Sequence, residues 1–292
     1  MSSNISIAVV GGDRRELYLA DYLVQQGYDI RLSGHEKYSP LPAPNYTDTL
    51  AALKGVDAVI LPLAGVTADN TPKCPFSNNP PPLDSKFFAV LAPGTPVFVG
   101  WATSEIKEVA HQVELVEIAN DDELAILNSI PTAEGTVAIA MQNSEITLHG
   151  STALVLGFGR SAVSLARMLA GIGAEVTVAA RNPADLARAH EMGFGNCQFS
   201  QLVQEVNRFD FIFNTVPALV LTDSVLKEAK RCQLIVDIAS GQGGTDFAAA
   251  EGYGIKALLT PGLPGKMAPV TAGKILTKVY PRLLEQYGVT RR

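Results

Sequence analysis

Cysteine and histidine are scarce in this chain of 292 residues, which holds three of the first and four of the second. Cys74, Cys197 and Cys232 are odd in number and widely spaced, and neither they nor His35, His111, His149 and His190 stand at paired ligand spacing, so no disulfide framework and no metal site are expected. Positive charge is also in deficit. With 23 Lys and Arg against 29 Asp and Glu, a net charge of −6 and a pI near 5.3, the chain would repel nucleic acid and acidic membrane surfaces, and no basic cluster offsets this. The opening residues Met1-Ser2-Ser3-Asn4-Ile5-Ser6 lack a basic region followed by a long apolar run. No uninterrupted apolar segment approaches the length of a membrane span, and a cytoplasmic protein is expected.

What is plentiful is apolar surface and turn residues: 47% hydrophobic, 25 Gly and 18 Pro, a composition suited to an α/β protein with many strand-to-helix turns. The length favours two domains of about 150 residues. Short apolar runs at 5–10, 28–32, 56–61, 96–99 and 113–117 alternate with helical periodicity at 14–26, 47–53 and 103–110, which predicts a parallel sheet covered on both faces. The proline-rich stretches 40–45 and 71–82 read as loops. Residues 121–128 and 131–142 read as two helices, the second starting at a proline, and a new series of βα units follows with strands at 152–156, 175–180, 209–213, 234–238 and 256–259. The last periodic segment, 270–287, is an amphipathic helix that can cross back onto the first domain. The expected architecture is α/β, with two doubly wound Rossmann-like domains: a flavodoxin-like substrate domain at 1–130, a connecting helix and linker at 131–150, and a dinucleotide-binding domain at 151–292.

The strongest chemical signal is Gly157-Phe158-Gly159-Arg160-Ser161-Ala162, directly after the apolar strand 153–156 and opening a helix. Gly157 allows the tight turn, Gly159 lets a diphosphate approach the backbone, Ala162 lets the helix pack closely, and the free amides of the first helical turn meet the phosphate charge. The next strand ends in Ala179-Ala180-Arg181-Asn182, with arginine where a carboxylate would bind a free ribose 2′-hydroxyl, so NADP is expected ahead of NAD. Asn214-Thr215-Val216-Pro217 and Ala239-Ser240, each after a later strand, are expected to line the nicotinamide half with their backbone. Asp13, Arg14 and Arg15 follow the first strand. Two arginines at a helix start oppose its dipole, which is easier to understand if an anion sits there. Ser129, Thr132 and Glu134 form a polar cluster beside Pro131: the hydroxyls either cap the helix or bind substrate, and Glu134 is a candidate proton acceptor.

Together Gly11-Gly12-Asp13, Asn128-Ser129-Ile130-Pro131-Thr132, Glu134-Gly135, His149-Gly150, Gly157-Phe158-Gly159-Arg160, Gly243-Gly244-Thr245-Asp246-Phe247 and Pro261-Gly262-Leu263-Pro264-Gly265 resemble the family of dipicolinate synthase A subunits over essentially the whole chain. Gly241-Gln242 and Lys266-Met267 depart from the family pattern. The resemblance implies oxidation of a cyclic lysine-pathway intermediate to pyridine-2,6-dicarboxylate with NADP as hydride acceptor. It further implies a partner in the flavoprotein-like B subunit of dipicolinate synthase, a dicarboxylate substrate, and a place in the mother cell of a sporulating bacterium. Under it, Arg14 and Arg15 anchor a carboxylate, and Glu134 or His149 handles the proton. A homo-oligomer is expected. The glycine pattern alone is shared with 2-hydroxyacid and amino-acid dehydrogenases, and a non-catalytic NADP-binding subunit is the non-enzyme alternative.

Overall fold

The structure, a computed structural model, describes residues 5–290; the opening stretch Met1-Ser2-Ser3-Asn4 discussed above lies outside these. In chain order the elements are β1 (Ser6–Val10), α1 (Arg14–Gln25), β2 (Asp29–Ser33), α2 (Thr49–Leu53), β3 (Ala58–Ile60), α3 (Ser85–Ala89), β4 (Pro96–Val99), α4 (Ser104–Val109), β5 (Glu114–Glu117) and α5 (Asp122–Asn143). There follow β6 (Thr152–Leu156), α6 (Arg160–Ile172), β7 (Glu175–Ala180), α7 (Pro183–Glu191), β8 (Gly195–Gln198), α8 (Leu202–Glu205), β9 (Phe211–Asn214) and α9 (Asp223–Leu226). The chain closes with β10 (Leu234–Asp237), α10 (Phe247–Gly252), β11 (Ala257–Leu259), α11 (Leu263–Met267) and α12 (Pro269–Gln286). Contacts divide it into two units, one running to Ala125 and resuming at Pro269, the other Ile126–Ala268.

In the first unit five parallel strands stand in the order β2-β1-β3-β4-β5. Ile7, Ala8, Val9 and Val10 are all wholly buried, as an uninterrupted apolar strand inside a two-sided parallel sheet must be. The chain reverses its progress across the sheet between β1 and β3, the switch point outside whose carboxyl ends such sheets bind ligands.

Helix α12 completes this unit. It packs along α1, with Gly273 so close to Tyr18 that a Cβ would lie 2.6 Å from the tyrosine Cβ. Buried Tyr280 meets Phe98 of β4 edge-on at 5.7 Å, and Arg282 pairs with Asp121 at 2.6 Å and Glu123 at 2.9 Å. The described residues from Pro269 on, assigned by sequence to the dinucleotide-binding domain, therefore belong to the other unit, because the apolar stripe of α12 needs the sheet face beside α1 to leave water.

The second unit holds six parallel strands in the order β11-β10-β9-β6-β7-β8, the doubly wound dinucleotide-binding arrangement with its switch point between β9 and β6. β8 had no sequence signal. Only Cys197 of its four residues is buried, so this edge strand shows neither an apolar run nor alternation.

Helix α5 is one continuous element of 22 residues rather than two, with Pro131 inside it. An interior proline removes an N–H and costs roughly 3 kcal/mol, so the helix survives through packing: Ala133 and Ala140 are wholly buried in the second core. The side chains near the proline turn onto the helix backbone, Thr132 Oγ1 donating to the Asn128 carbonyl at 2.7 Å and Ser129 Oγ to that of Ile126 at 2.6 Å. By length and composition α5 could cross a membrane, which a reading for uninterrupted apolar runs misses because polar residues punctuate it; the wholly buried Ala133 and Ala140 mark a core helix instead.

Candidate functional site

Every residue expected to meet the dinucleotide follows a strand that ends on one edge of the second sheet. Gly157 to Ser161 follow β6, Arg181 and Asn182 follow Ala180 of β7, Asn214 closes β9 with Thr215 to Pro217 after it, and Ala239 and Ser240 follow β10; these strands are neighbours and parallel. At the turn after β6, Gly157 has φ +89° and donates to the Ala179 carbonyl at 2.8 Å. A Cβ there would lie 2.7 Å from Thr215 Oγ1 and 3.0 Å from Val216 Cγ2, so only glycine fits. Gly159, the N-cap of α6, has ordinary backbone geometry and open space where its Cβ would be, and no side chain caps the first turn. A helix start without a side-chain cap and with room beside Gly159 is what an incoming diphosphate needs, so the residues present fit a dinucleotide. The Phe158 ring is buried against Phe194 at 6.3 Å, which leaves only its backbone at the turn.

At the end of β7, Arg181 is exposed and makes no ion pair among the described residues. Asn182 is already committed, its Oδ1 capping α7 through the Ala184 amide at 3.0 Å. After β9, the Thr215 hydroxyl donates to the Leu156 carbonyl at 2.8 Å, and the wholly buried Asn214 gives its Nδ2 to Asp237 at 2.9 Å and to the Val216 carbonyl at 3.0 Å. Asn214 therefore shapes the loop and leaves the edge to main chain.

Sequence reasoning passed over the group that organises this edge. Asp237, wholly buried at the end of β10, accepts from the Ala239 amide at 3.0 Å, the Gly244 amide at 2.8 Å, the Thr245 hydroxyl at 2.7 Å and Asn214. A buried carboxylate is tolerated only when satisfied in this way, and its four partners tie the loop after β10 to the loop after β9. The signal was a lone acid closing an apolar strand, Leu234-Ile235-Val236-Asp237.

Ser129, Thr132, Glu134 and His149 are not brought together. Ser129 is 1% exposed and shares a 2.5 Å hydrogen bond with Ser164 of α6, so it holds α5 to α6 and has no face for a ligand. Thr132 is back-bonded within α5, while Glu134 is exposed and without an ion pair among the described residues; nearby, Asn128 keeps a buried Oδ1 without a donor. His149 precedes β6 and sits at 2.9 Å from the carbonyl of Ile172, at the carboxyl end of α6. The glycine turn is at the other end of that helix, roughly 20 Å away at 1.5 Å per residue. His149 is thus removed from the dinucleotide edge and cannot act as the proton acceptor there.

In the first unit the expected anion anchor is largely answered from within. Asp13 caps α1 in a reciprocal capping box with Glu16, and the Arg15 guanidinium grips its carboxylate through Nε at 2.9 Å and NH2 at 2.8 Å. Burial works against the charge on Asp13, but the hydrogen bonds and charge of Arg15 outweigh it and hold its pKa low; Arg15 is raised in turn against its own burial by Glu16 and Asp13. Burial raises Glu16, whose two oxygens accept from the amides of Asp13 and Leu63 at 2.8 and 2.9 Å. The anion at this helix start is the protein's own, and Arg15 is not available to a substrate. Arg14 is. It is exposed and lines a cavity of about 330 Å³ with Leu17, Tyr18, Asp21, Tyr38 and residues 40–42.

Residues 6–119 match the N-terminal domain of dipicolinate synthase A subunits, and residues 132–242 match the NAD binding domain of D-isomer specific 2-hydroxyacid dehydrogenases. The dipicolinate synthase A subunit of Bacillus subtilis (strain 168) is 38% identical over 290 residues, 98% of each chain. The chain belongs to the family of dipicolinate synthase A subunits. Solved members agree in structure as well: the Bacillus halodurans protein at 37% identity and TM-score 0.90, covering 97% of this chain and 99% of that one, and the B. subtilis protein at 38% and 0.89, covering 99% and 98%. Within this family member the second unit is a nicotinamide-dinucleotide-binding domain of the dehydrogenase kind, which makes the chain an oxidoreductase.

Proposed function

We propose that the chain is the A subunit of a dipicolinate synthase, oxidising a dihydrodipicolinate-type intermediate of the lysine pathway to pyridine-2,6-dicarboxylate with NADP. The observation that carries the cofactor choice is the uncommitted Arg181 at the end of β7, where no carboxylate stands to repel a 2′-phosphate. In the reaction the dihydro ring loses one hydrogen as hydride and one as a proton, and becomes aromatic. The bound dinucleotide supplies the hydride acceptor; the rest falls to the chain. The amides opening α6 hold the diphosphate, Arg181 pairs with the 2′-phosphate, and the Asp237 network fixes the two loops along which the nicotinamide half runs. Glu134, exposed on α5 just beyond the contact of Ser129 with α6, takes the proton; within the first unit, Arg14, exposed beside its cavity, is the group suited to a carboxylate.

The family name implies a second subunit, and the proposed setting is the cytoplasm of a sporulating mother cell, with the chain acting as a homo-oligomer together with a flavoprotein-like B subunit. The test is formation of NADPH from the dihydro substrate by the purified chain, alone and with the B subunit, beside titrations of NADP and NAD. Turnover with tighter NADP binding is expected. If NAD binds as tightly as NADP the role of Arg181 is lost, and if neither preparation reduces the cofactor, what remains is a nucleotide-binding subunit without chemistry.

A further inference from the structure

The only tryptophan of the chain, Trp101, follows β4 and is 43% exposed. Two glycines are needed to hold it there. Gly65, at φ +77°, lies against the indole so closely that a Cβ would overlap its Nε1, and a Cβ on Gly100 would overlap the Leu63 carbonyl oxygen. The loops after β3 and β4 are thus cut to seat a large ring whose face is left in water. Above that ring stands Lys73, its Nζ 5.6 Å from the centroid. Lys73 is exposed and pairs with no carboxylate among the described residues, yet its backbone is fixed: its amide donates to the Gly65 carbonyl at 3.3 Å, and its carbonyl accepts from the Gly12 amide at 2.9 Å. The pair therefore lies at the carboxyl ends of β1, β3 and β4, beside the switch point of the first sheet. Asp13 and Arg15 nearby neutralise each other, which leaves Lys73 as a positive charge without a carboxylate beside an aromatic face.

We propose that Trp101 and Lys73 form a binding site in the first unit for a planar ring bearing a carboxylate, which, given the reaction proposed above, is the class of its substrate and product. The indole offers a stacking face, and the ammonium, held by the ring only through a solvated cation–π contact, is free to meet the carboxylate.

The probe is pyridine-2,6-dicarboxylate, titrated into the full chain without cofactor and followed by calorimetry and by Trp101 fluorescence. Saturable binding with a change in Trp101 emission is expected. Lys73→Ala should weaken it at least tenfold, Lys73→Arg should recover most of it, and Trp101→Phe, read by calorimetry, should fall between. NADP binding, on the other unit, should be unchanged in all three, and retained amide-exchange protection in β1 to β5 reports that the first unit is folded in each variant. An unchanged dissociation constant in Lys73→Ala, or no binding to the parent chain, overturns the site and leaves the proposed reaction standing. Loss of dicarboxylate affinity in Lys73→Ala supports the site even if the chain proves unable to reduce NADP, a result that would strike only the reaction.

Discussion

An arginine at the end of a nucleotide-binding strand contributes most when nothing else in the protein claims it, and Arg181 is in that position: exposed, while its neighbour Asn182 is spent on capping α7. A charge-assisted contact to a 2′-phosphate is worth about 1.5–3 kcal/mol. Arg181→Ala should therefore raise the Kd for NADP by roughly 10- to 100-fold and leave that for NAD within about twofold, read by titration of both. His35 poses the opposite case, a polar group the fold buries and leaves unanswered. It is wholly buried with no well-formed hydrogen bond to either ring nitrogen, and burial, only partly opposed by Glu36 and by the backbone at Gly11 and Ser33, pulls its pKa from 6.5 down to about 4. A folded pKa below the unfolded one means the unfolded chain binds the extra proton between pH 6.5 and about 4, so stability is whole above that window and falls as pH drops through it. Between pH 7.5 and pH 5 the loss from this one group should be about 2 kcal/mol, and His35→Phe should abolish that share of the acid sensitivity in denaturant titrations at the two pH values. Equal acid sensitivity in the variant would remove His35 as its source.

The two glycines that open α6 do different work within one turn. Gly157→Ala forces a side chain into the left-handed region and against Thr215 and Val216, so it should destabilise the second unit by a few kcal/mol. Gly159→Ala meets open space at an ordinary φ, so its melting temperature should stay near that of the parent while dinucleotide affinity falls at least tenfold. A Gly159→Ala chain that melts early, or that binds as the parent does, would contradict the reading of that space as the diphosphate's. This βα turn was legible in the sequence because its chemistry is local: strand, glycines and helix adjoin. The connection of α5 was not, because a proline reads as a helix start from sequence alone and is retained in the interior only through the tertiary burial of Ala133 and Ala140. The same limit explains Ser129, whose hydroxyl looked available until folding brought it against Ser164, 35 residues away.

At the scale of the molecule the chain leaves the first unit near Ala125 and returns to it at Pro269, so the end of the sequence completes the fold that its beginning started. Period alone identified α12 as amphipathic, but which sheet it covers depends on a contact with α1 more than 250 residues away, which no local pattern encodes. Deleting residues 269–292 makes this testable. It would strip α1 and the first sheet of the buried side chains Ile275, Leu276, Val279, Tyr280, Leu283 and Leu284, together worth roughly 10 kcal/mol at about 2 kcal/mol each, which is comparable to the whole stability of a domain. The first unit should then lose amide-exchange protection in β1 to β5, while the second unit, Ile126–Ala268, keeps its own core and its affinity for NADP. Retained protection in the first sheet would mean that α12 is dispensable there, and lost nucleotide binding would mean that the second unit depends on the rest of the chain.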